Sequence, residues 1–241
     1  MSARVLPAGP EALAEALRAL DRGELVILPH ATNYNVVCDA DRADAVEAVF
    51  RAKRRVKLGP LPVCLPDAAS AERYVDVPRW FPREALDALW PGEVCFVFRQ
   101  RHPFPPRLSC GLGTVAVTVT SEPFYAAVAR AAGRALASSS ANLSGAATGR
   151  VTLARALADL GDAVSLAVDG GGDEADAPAC GNTLVDLTFD RPRLVRAGAV
   201  SAARLREFLP ALDEDTAAYQ RLLAARAAQN PLSPNALGAS L

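Results

Sequence analysis

Segments spaced for helices alternate with strand-sized apolar runs from residue 10 to residue 208, and that alternation confines the chain to the α/β class. Leu13, Leu17 and Leu20 fall on one helix face, Gly23 stops the helix, and residues 24–29 follow as a strand. Asp41 is placed to cap a helix over 41–50 that turns Ala45, Val46, Val49 and Phe50 inward. Residues 61–65 read as a strand, and 68–74 and 83–90 as helices, the second closed by Pro91-Gly92. Strands at 93–98 and 114–120 flank a proline-punctuated loop over 99–107. In the second of these strands Val115, Val117 and Val119 share one face while Thr114, Ala116, Thr118 and Thr120 share the other, so one face meets a core and the other a cavity or water. A helix at 123–132, a strand at 134–138, a helix at 153–160, strands at 164–168, 183–187 and 193–196, and a short helix at 202–208 complete the series. At 241 residues the chain is sized for one domain. That domain is expected over residues 1–212, with a C-terminal helix carrying Tyr219, Leu222 and Leu223 and a flexible tail in 213–241.

The longest apolar stretches, at 24–29 and 94–98, are far below the roughly 20 residues of a bilayer crossing. The first residues lack the continuous apolar core of a secretory signal, so a cytoplasmic location is the expectation. Cysteines 38, 64, 95, 110 and 180 form an odd, scattered set without a CxxC pair, which fits neither a disulfide framework nor a zinc knuckle, and no metal site is expected from them. A net charge of −1 and 6% aromatic residues offer little for nonspecific binding or base stacking of nucleic acid.

Chemistry concentrates in three segments. The chain has two lysines, Lys53 and Lys57, and both lie in residues 51–57, where five of seven side chains are cationic. Such a run is either a solvated helix end favoured by the macrodipole or an anion site in which Lys is a point charge and Arg a planar fork. Residues 138–145, Ser-Ser-Ser-Ala-Asn-Leu-Ser-Gly, are either a turn bonded to its own backbone or a phosphate cradle of amides and hydroxyls. Neither GxxxxGK[ST] nor GxGxxG occurs, and Ser140 lacks the GxSxG setting of a nucleophile, with only His30 and His102 available as bases. His30 opens a polar strand end over residues 29–35 that lines a pocket or begins a loop.

Taken in order, these segments resemble the YrdC-like family, whose members include threonylcarbamoyl-AMP synthases. The family carries PT[DE]TxYGL, KxR with a following PL, LWPGP, VRxP, SANxSG, STxxD and RxGA. Here stand Pro29-His-Ala-Thr-Asn-Tyr-Asn-Val36, Lys53-Arg-Arg55 with Pro60-Leu61, Leu89-Trp-Pro-Gly92, Val117-Thr-Val119, Ser140-Ala-Asn-Leu-Ser-Gly145, Asn182-Thr183 with Asp186, and Arg196-Ala-Gly-Ala199. The resemblance implies a single twisted mixed sheet flanked by helices around a concave, positively lined cavity that holds ATP, with Mg²⁺. It implies a reaction in which bicarbonate and the amino group of L-threonine form a carbamate that attacks the α-phosphate of ATP and expels pyrophosphate, in the service of tRNA modification. On this resemblance Lys53 and Arg55 carry the catalysis and bind ATP together with Ser138, Ser140, Asn142, Ser144 and Arg196, while His30, Thr32, Tyr34, Thr118 and Asn182 form the substrate end. A downstream carbamoyl transferase is the implied partner.

Departures cluster at the substrate end. His30 and Ala31 replace the first threonine and the acidic residue of PT[DE]T, Asn35 the glycine of YGL, Thr118 the arginine of VRxP, and Asn182 the serine of STxxD. Losing an arginine removes a fixed charge and a bidentate anion contact. The nucleotide side is kept, so ATP binding is expected to survive. Three readings of the function stay open: the threonine reaction, a different amine or amino acid in specialised metabolism, and a nucleotide- or RNA-binding module with little catalysis.

Overall fold

The computed structural model describes residues 3–54, 59–145, 150–172 and 181–229. Along the chain run β1 (Arg4–Pro7), α1 (Pro10–Arg22), β2 (Val26–Pro29), β3 (Tyr34–Asp39), α2 (Ala43–Ala52), β4 (Val63–Cys64), α3 (Ala71–Tyr74), β5 (Val75–Asp76), α4 (Arg83–Leu89) and β6 (Val94–Gln100). Then come α5 (Pro106–Ser109), β7 (Thr114–Thr118), α6 (Pro123–Ala132), β8 (Leu136–Ser140), α7 (Leu153–Leu160), β9 (Leu166–Asp169), β10 (Thr183–Asp186), β11 (Arg193–Arg196), α8 (Ala202–Arg206) and α9 (Thr216–Gln229). The strands make one mixed sheet in the order β1-β9-β2-β3-β8-β4-β7-β6-β10-β11, with β5 added at the end of β6. Helices flank it on both faces, so the α/β class and the twisted mixed sheet expected from the sequence are what the chain forms.

The two faces are covered unequally. On one, Ile27, Val36, Val63, Phe96, Phe98, Val117 and Val185 join Val46, Val49 and Phe50 of α2, Leu86 and Leu89 of α4 and Leu160 of α7 in a continuous core. On the other, Val26, Leu28, Val37, Leu136, Leu166 and Val168 pack under α1 and α6. Helix α1 turns Ala12, Ala16 and Ala19 inward, and these short side chains let it lie close against the sheet and α6. Neither helix reaches beyond β4, and the second face of β7, β6, β10 and β11 is left for a cavity.

Local differences from the sequence reading have physical causes. Helix α2 starts after Arg42 with no side-chain cap, because residues 39–42 are spent on a turn in which Asp39 Oδ1 accepts from the Asp41 amide at 2.9 Å. Asp41 is therefore not the cap, and its carboxylate lies 2.6 Å from His102 Nε2. The helix expected at 68–74 is confined to Ala71–Tyr74, since Asp67 turns the chain first by accepting from the Ser70 amide at 2.7 Å. The loop expected at 99–107 is shortened at both ends by β6 and the single turn of α5. Strand β1 carried no sequence signal. It is a four-residue, largely exposed edge held by parallel pairing with β9.

Gly198 of the Arg-Ala-Gly-Ala segment lies where two stretches of backbone meet. Thr183 Oγ1 donates to the Val200 carbonyl at 2.7 Å, and the Ala199 amide donates to the Gly181 carbonyl at 3.0 Å. A Cβ on Gly198 would stand 2.3 Å from the Gly181 oxygen and 2.6 Å from Thr183 N, both backbone atoms that cannot swing aside. Gly198→Ala is expected to cost about 1–3 kcal/mol, read as a fall in Tm of ~2–4 °C for each kcal/mol. Gly172→Ala, where an added Cβ meets nothing within 4 Å, is expected to leave Tm unchanged in the same melt.

Candidate active site

The uncovered half of the sheet floors a cavity of about 640 Å³. Thr114, Ala116 and Thr118 of β7, with Thr120 beyond it, all line the cavity, as the period-two pattern of that strand required, while Val115 and Val117 face the opposite core. Cys95 and Val97 of β6, Leu184 and Asp186 of β10 and Cys64 of β4 extend the floor. Ser138, Ser139 and Ser140 of β8 form one wall, and His30, Thr32, Asn33 and Asn35 form the rim where β2 turns into β3. Tyr219 and Leu223 of α9 close the far side.

The serine-rich segment is held from behind by a buried charge. Lys53, 3% exposed at the C-terminal end of α2, donates from its ammonium to the Ser140 carbonyl and, at 2.6 Å, to the Asn142 carbonyl. Its own carbonyl accepts from the Ser144 amide at 2.9 Å. From α7, Asp159 accepts from the Leu143 amide at 3.1 Å and from Arg155 at 2.8 Å. Burial opposes the charge on Asp159, but Arg155 and the Leu143 amide hold its carboxyl below the usual range. Ser140 Oγ donates to Asn142 Oδ1 at 2.6 Å, and Asn142 Nδ2 to the Leu143 carbonyl at 3.1 Å.

Each expected site residue now has a place. Ser138 and Ser140 face the cavity, whereas Asn142 and Ser144 are not among its lining residues. Lys53, expected on phosphates, has its ammonium on loop carbonyls instead, because a buried charge must be met by acceptors and these are the ones at hand. Arg55 lies outside the described residues. Arg196 lines the cavity and is exposed, its Nη2 donating to the Asn182 carbonyl at 3.0 Å. Among the described lining residues it is the one lysine or arginine. Asn182 lines the cavity, with Nδ2 3.4 Å from Cys95 Sγ. Tyr34 is buried and absent from the lining, and its hydroxyl accepts from the Gly170 amide at 3.1 Å. Thr118 lines the floor, but its hydroxyl donates to the Val94 carbonyl at 2.8 Å.

His30 is 7% exposed and sits in a tight turn in which His30 and Asn33 exchange both backbone bonds, at 2.8 and 3.2 Å. Its Nδ1 accepts from the Thr32 amide at 3.3 Å, and Nε2 lies 3.3 Å from Glu93 Oε2. Burial pushes the imidazole pKa down while the Glu93 carboxylate works the other way, and burial prevails. Burial also pushes the Cys64 thiol up to about 12 and raises those of Cys95 and the Tyr125 phenol, so all three stay protonated at neutral pH. Three contributors carried no signal in the residue pattern. Glu93 follows a turn and meets His30 only through the fold, while Tyr219 and Leu223 sat in a helix whose packing partner was unspecified. Tyr219 donates to Asp186 Oδ2 at 3.0 Å, and Thr188 donates to Oδ1 from both amide and hydroxyl at 2.7 Å.

The sequence model of the Sua5/YciO/YrdC domain, described as telomere recombination, matches residues 18–198. The chain belongs to the Sua5/YciO/YrdC family. A putative threonylcarbamoyl-AMP synthase of Mycobacterium tuberculosis is 34% identical over 197 residues, covering 82% of this chain and 88% of the relative. The threonylcarbamoyl-AMP synthase of Mus musculus is 35% identical over 182 residues, covering 74% of this chain and 63% of the relative. Among solved structures, P. abyssi Sua5 complexed with L-threonine superposes with a TM-score of 0.75 at 24% identity, over 86% of this chain and 61% of that one. E. coli YciO gives 0.73 at 20%, over 84% and 99%.

Within the Sua5/YciO/YrdC family pattern, the departures of this chain have structural answers. Thr118, in place of an arginine, ties β7 to a β6 carbonyl and puts no positive charge on the floor. Asn35, in place of a glycine, stands in register with Ser140 across β3 and β8, at the mouth of the serine loop. Lys53 and Asp159 together fix that loop. Lys53→Met keeps the stem and removes the ammonium, so the Asn142 carbonyl loses that donor and the Ser140 carbonyl keeps only the Asn142 amide at 2.9 Å. It is expected to lower stability by about 1–3 kcal/mol in equilibrium urea unfolding, with m unchanged. An unchanged midpoint would show that the ammonium does not bear the loop.

Proposed function

We propose that this member of the Sua5/YciO/YrdC family is a threonylcarbamoyl-AMP synthase, joining L-threonine, bicarbonate and ATP into threonylcarbamoyl-AMP with release of pyrophosphate. The observation that carries the reading is the 34% identity to a putative synthase over 88% of that protein's length and 82% of this chain. As an enzyme forming an AMP-linked product it is a nucleotidyltransferase, and its product serves tRNA modification through a downstream carbamoyl transferase. A cytoplasmic site of action fits this chemistry. Among the described residues no helix is long and apolar enough to cross a membrane.

In this reading the phosphates lie along Ser138 and Ser140, with Arg196 supplying positive charge at the opposite wall, and Arg55 keeps the catalytic and ATP-binding role that the family pattern gives it. Lys53 acts through the loop it holds, keeping Ser140 oriented, and Asn142 and Ser144 shape that loop. Transfer to the α-phosphorus requires positioning and charge neutralisation more than a protein nucleophile. His30, Thr32, Thr118 and Asn182 border the threonine end, and Tyr34 sets the strand that presents them.

Mg²⁺ would enter as the ATP complex. Among the described residues no group of three or more His, Cys, Asp or Glu is arranged to hold a metal, and Asp186 is already occupied by Thr188 and Tyr219. A hard cation held by phosphate oxygens and water needs no protein cage, and it would neutralise phosphate charge.

Pyrophosphate release measured with ATP, Mg²⁺ and bicarbonate across the common amino acids, with the adenylate read by mass spectrometry, tests the assignment. Turnover is expected with threonine and to require bicarbonate. Turnover with another amine alone would overturn threonine as substrate, and ATP binding without turnover would overturn the enzyme.

A further inference from the structure

At the rim of the cavity a carboxylate, an imidazole and a hydroxyl stand in series. Glu93 Oε1 accepts from the Ser121 hydroxyl at 2.7 Å, which fixes the carboxylate and leaves Oε2 facing His30 Nε2 at 3.3 Å. On the other side of the ring, Nδ1 accepts from the Thr32 amide at 3.3 Å and lies 3.1 Å from Thr32 Oγ1. An Nδ1 that accepts from an amide carries no proton of its own. The ring proton therefore sits on Nε2, toward Glu93, and the Thr32 hydroxyl points its proton at Nδ1. Asn33 Nδ2 donates to Thr32 Oγ1 at 3.4 Å, and both Thr32 and His30 border the cavity. The side chains of His30 and Glu93 are 5% and 12% exposed, and Thr32, half-buried, is the member of the series that meets the cavity.

We propose that Glu93, His30 and Thr32 form a proton relay that takes the proton from the ammonium of the acceptor substrate, so that its nitrogen becomes a nucleophile. The proposal deepens the synthase reading and rests on it. An ammonium has no free electron pair, and carbamate formation cannot begin until it loses a proton. The ammonium gives that proton to Thr32 Oγ1 as Thr32 gives its own to His30 Nδ1. The imidazolium so formed is balanced by the Glu93 carboxylate, whose Oε2 lies 3.3 Å from Nε2 and has no hydrogen-bond partner of its own among the described residues. The freed amine then forms the N–C bond to bicarbonate, losing a second proton that leaves with the bicarbonate hydroxyl as water. His30 returns its proton to solvent when the product departs. Thr32 would touch the reacting nitrogen, while His30 and Glu93 act through it.

Three features of this chain suit the assignment. Burial keeps the resting imidazole neutral and able to accept. The Glu93 carboxylate stabilises the ion once it forms, as a paired carboxylate does for a general base. The other ionisable groups that feel Glu93 are Cys64, Cys95 and Glu122, of which both thiols stay protonated, while the Tyr125 ring packs edge-on to His30 at 6.2 Å. The family pattern has threonine and an acidic residue at 30 and 31, whereas this chain has histidine and alanine there and brings a carboxylate to the histidine from residue 93.

The test is kcat against pH for threonylcarbamoyl-AMP formation by the wild-type chain, His30→Gln and Glu93→Gln, with KM for threonine and ATP measured at each pH. Wild-type kcat is expected to rise with pH through one ionisation as His30 loses its proton. In His30→Gln that acid limb should vanish and kcat fall about 10²–10⁴-fold, with KM changing far less. In Glu93→Gln the limb should move to lower pH by about 1 unit or more, because the ring loses the charge that favoured its protonated form. An unmoved limb in Glu93→Gln overturns the relay, also where His30→Gln fails to fold. So does a His30→Gln enzyme with wild-type kcat, or one altered only in KM. A wild-type chain that makes no threonylcarbamoyl-AMP overturns the function itself, and a relay failure with an active wild type leaves it standing.

Discussion

A sheet this wide has two faces to cover, and the helices of this chain fully cover only one. The rest of the molecule follows from that shortfall. A strand buried on both faces can be apolar throughout, but one that meets a core on one face and a cavity on the other must alternate. β7 does so, and its polar face costs little because the hydroxyl of Thr118 finds a β6 carbonyl. The helices α1 and α6, lying close over the β2–β8 half on small residues, define where the cavity begins.

The charges of the site are distributed by the same constraint. Bringing a cation to a low-dielectric wall requires acceptors, and the chain meets that need by setting Lys53 behind the loop with two carbonyls on its ammonium. The loop in turn is fixed on a second side by Asp159, whose charge Arg155 balances. A loop already held in place loses little entropy when a ligand settles on it.

How much of this was readable beforehand depended on the range of the interaction. The alternation in β7 is local, so its cavity face could be read directly from Thr114, Ala116, Thr118 and Thr120. The serine segment announced itself by composition. The direction of the Lys53 ammonium was not readable, since a basic run at a helix end looks the same whether its cations face phosphate, water or backbone. Glu93 was invisible as a site residue because nothing near it in sequence resembles a partner, and only the return of the chain past β2 brings it to His30. Asp41 misled for a local reason, a turn that used the residues a cap would have needed. Strand β1 was missed because a four-residue edge ending at Pro7 has little pattern of its own.

The helix α9 completes the enclosure. Its Tyr219 is tied to Asp186, a residue of the cavity floor, and its Leu223 forms part of the wall. The volume available to substrates is thereby set by segments from both ends of the described fold, the rim at β2 and the closing helix. Loosening that helix would enlarge the chamber and admit solvent without moving the serine-rich wall or the rim at β2. The fastening of Tyr219 to Asp186, with the Tyr219 ring edge-on to Phe189, thus ties the size of the chamber to the seating of one helix.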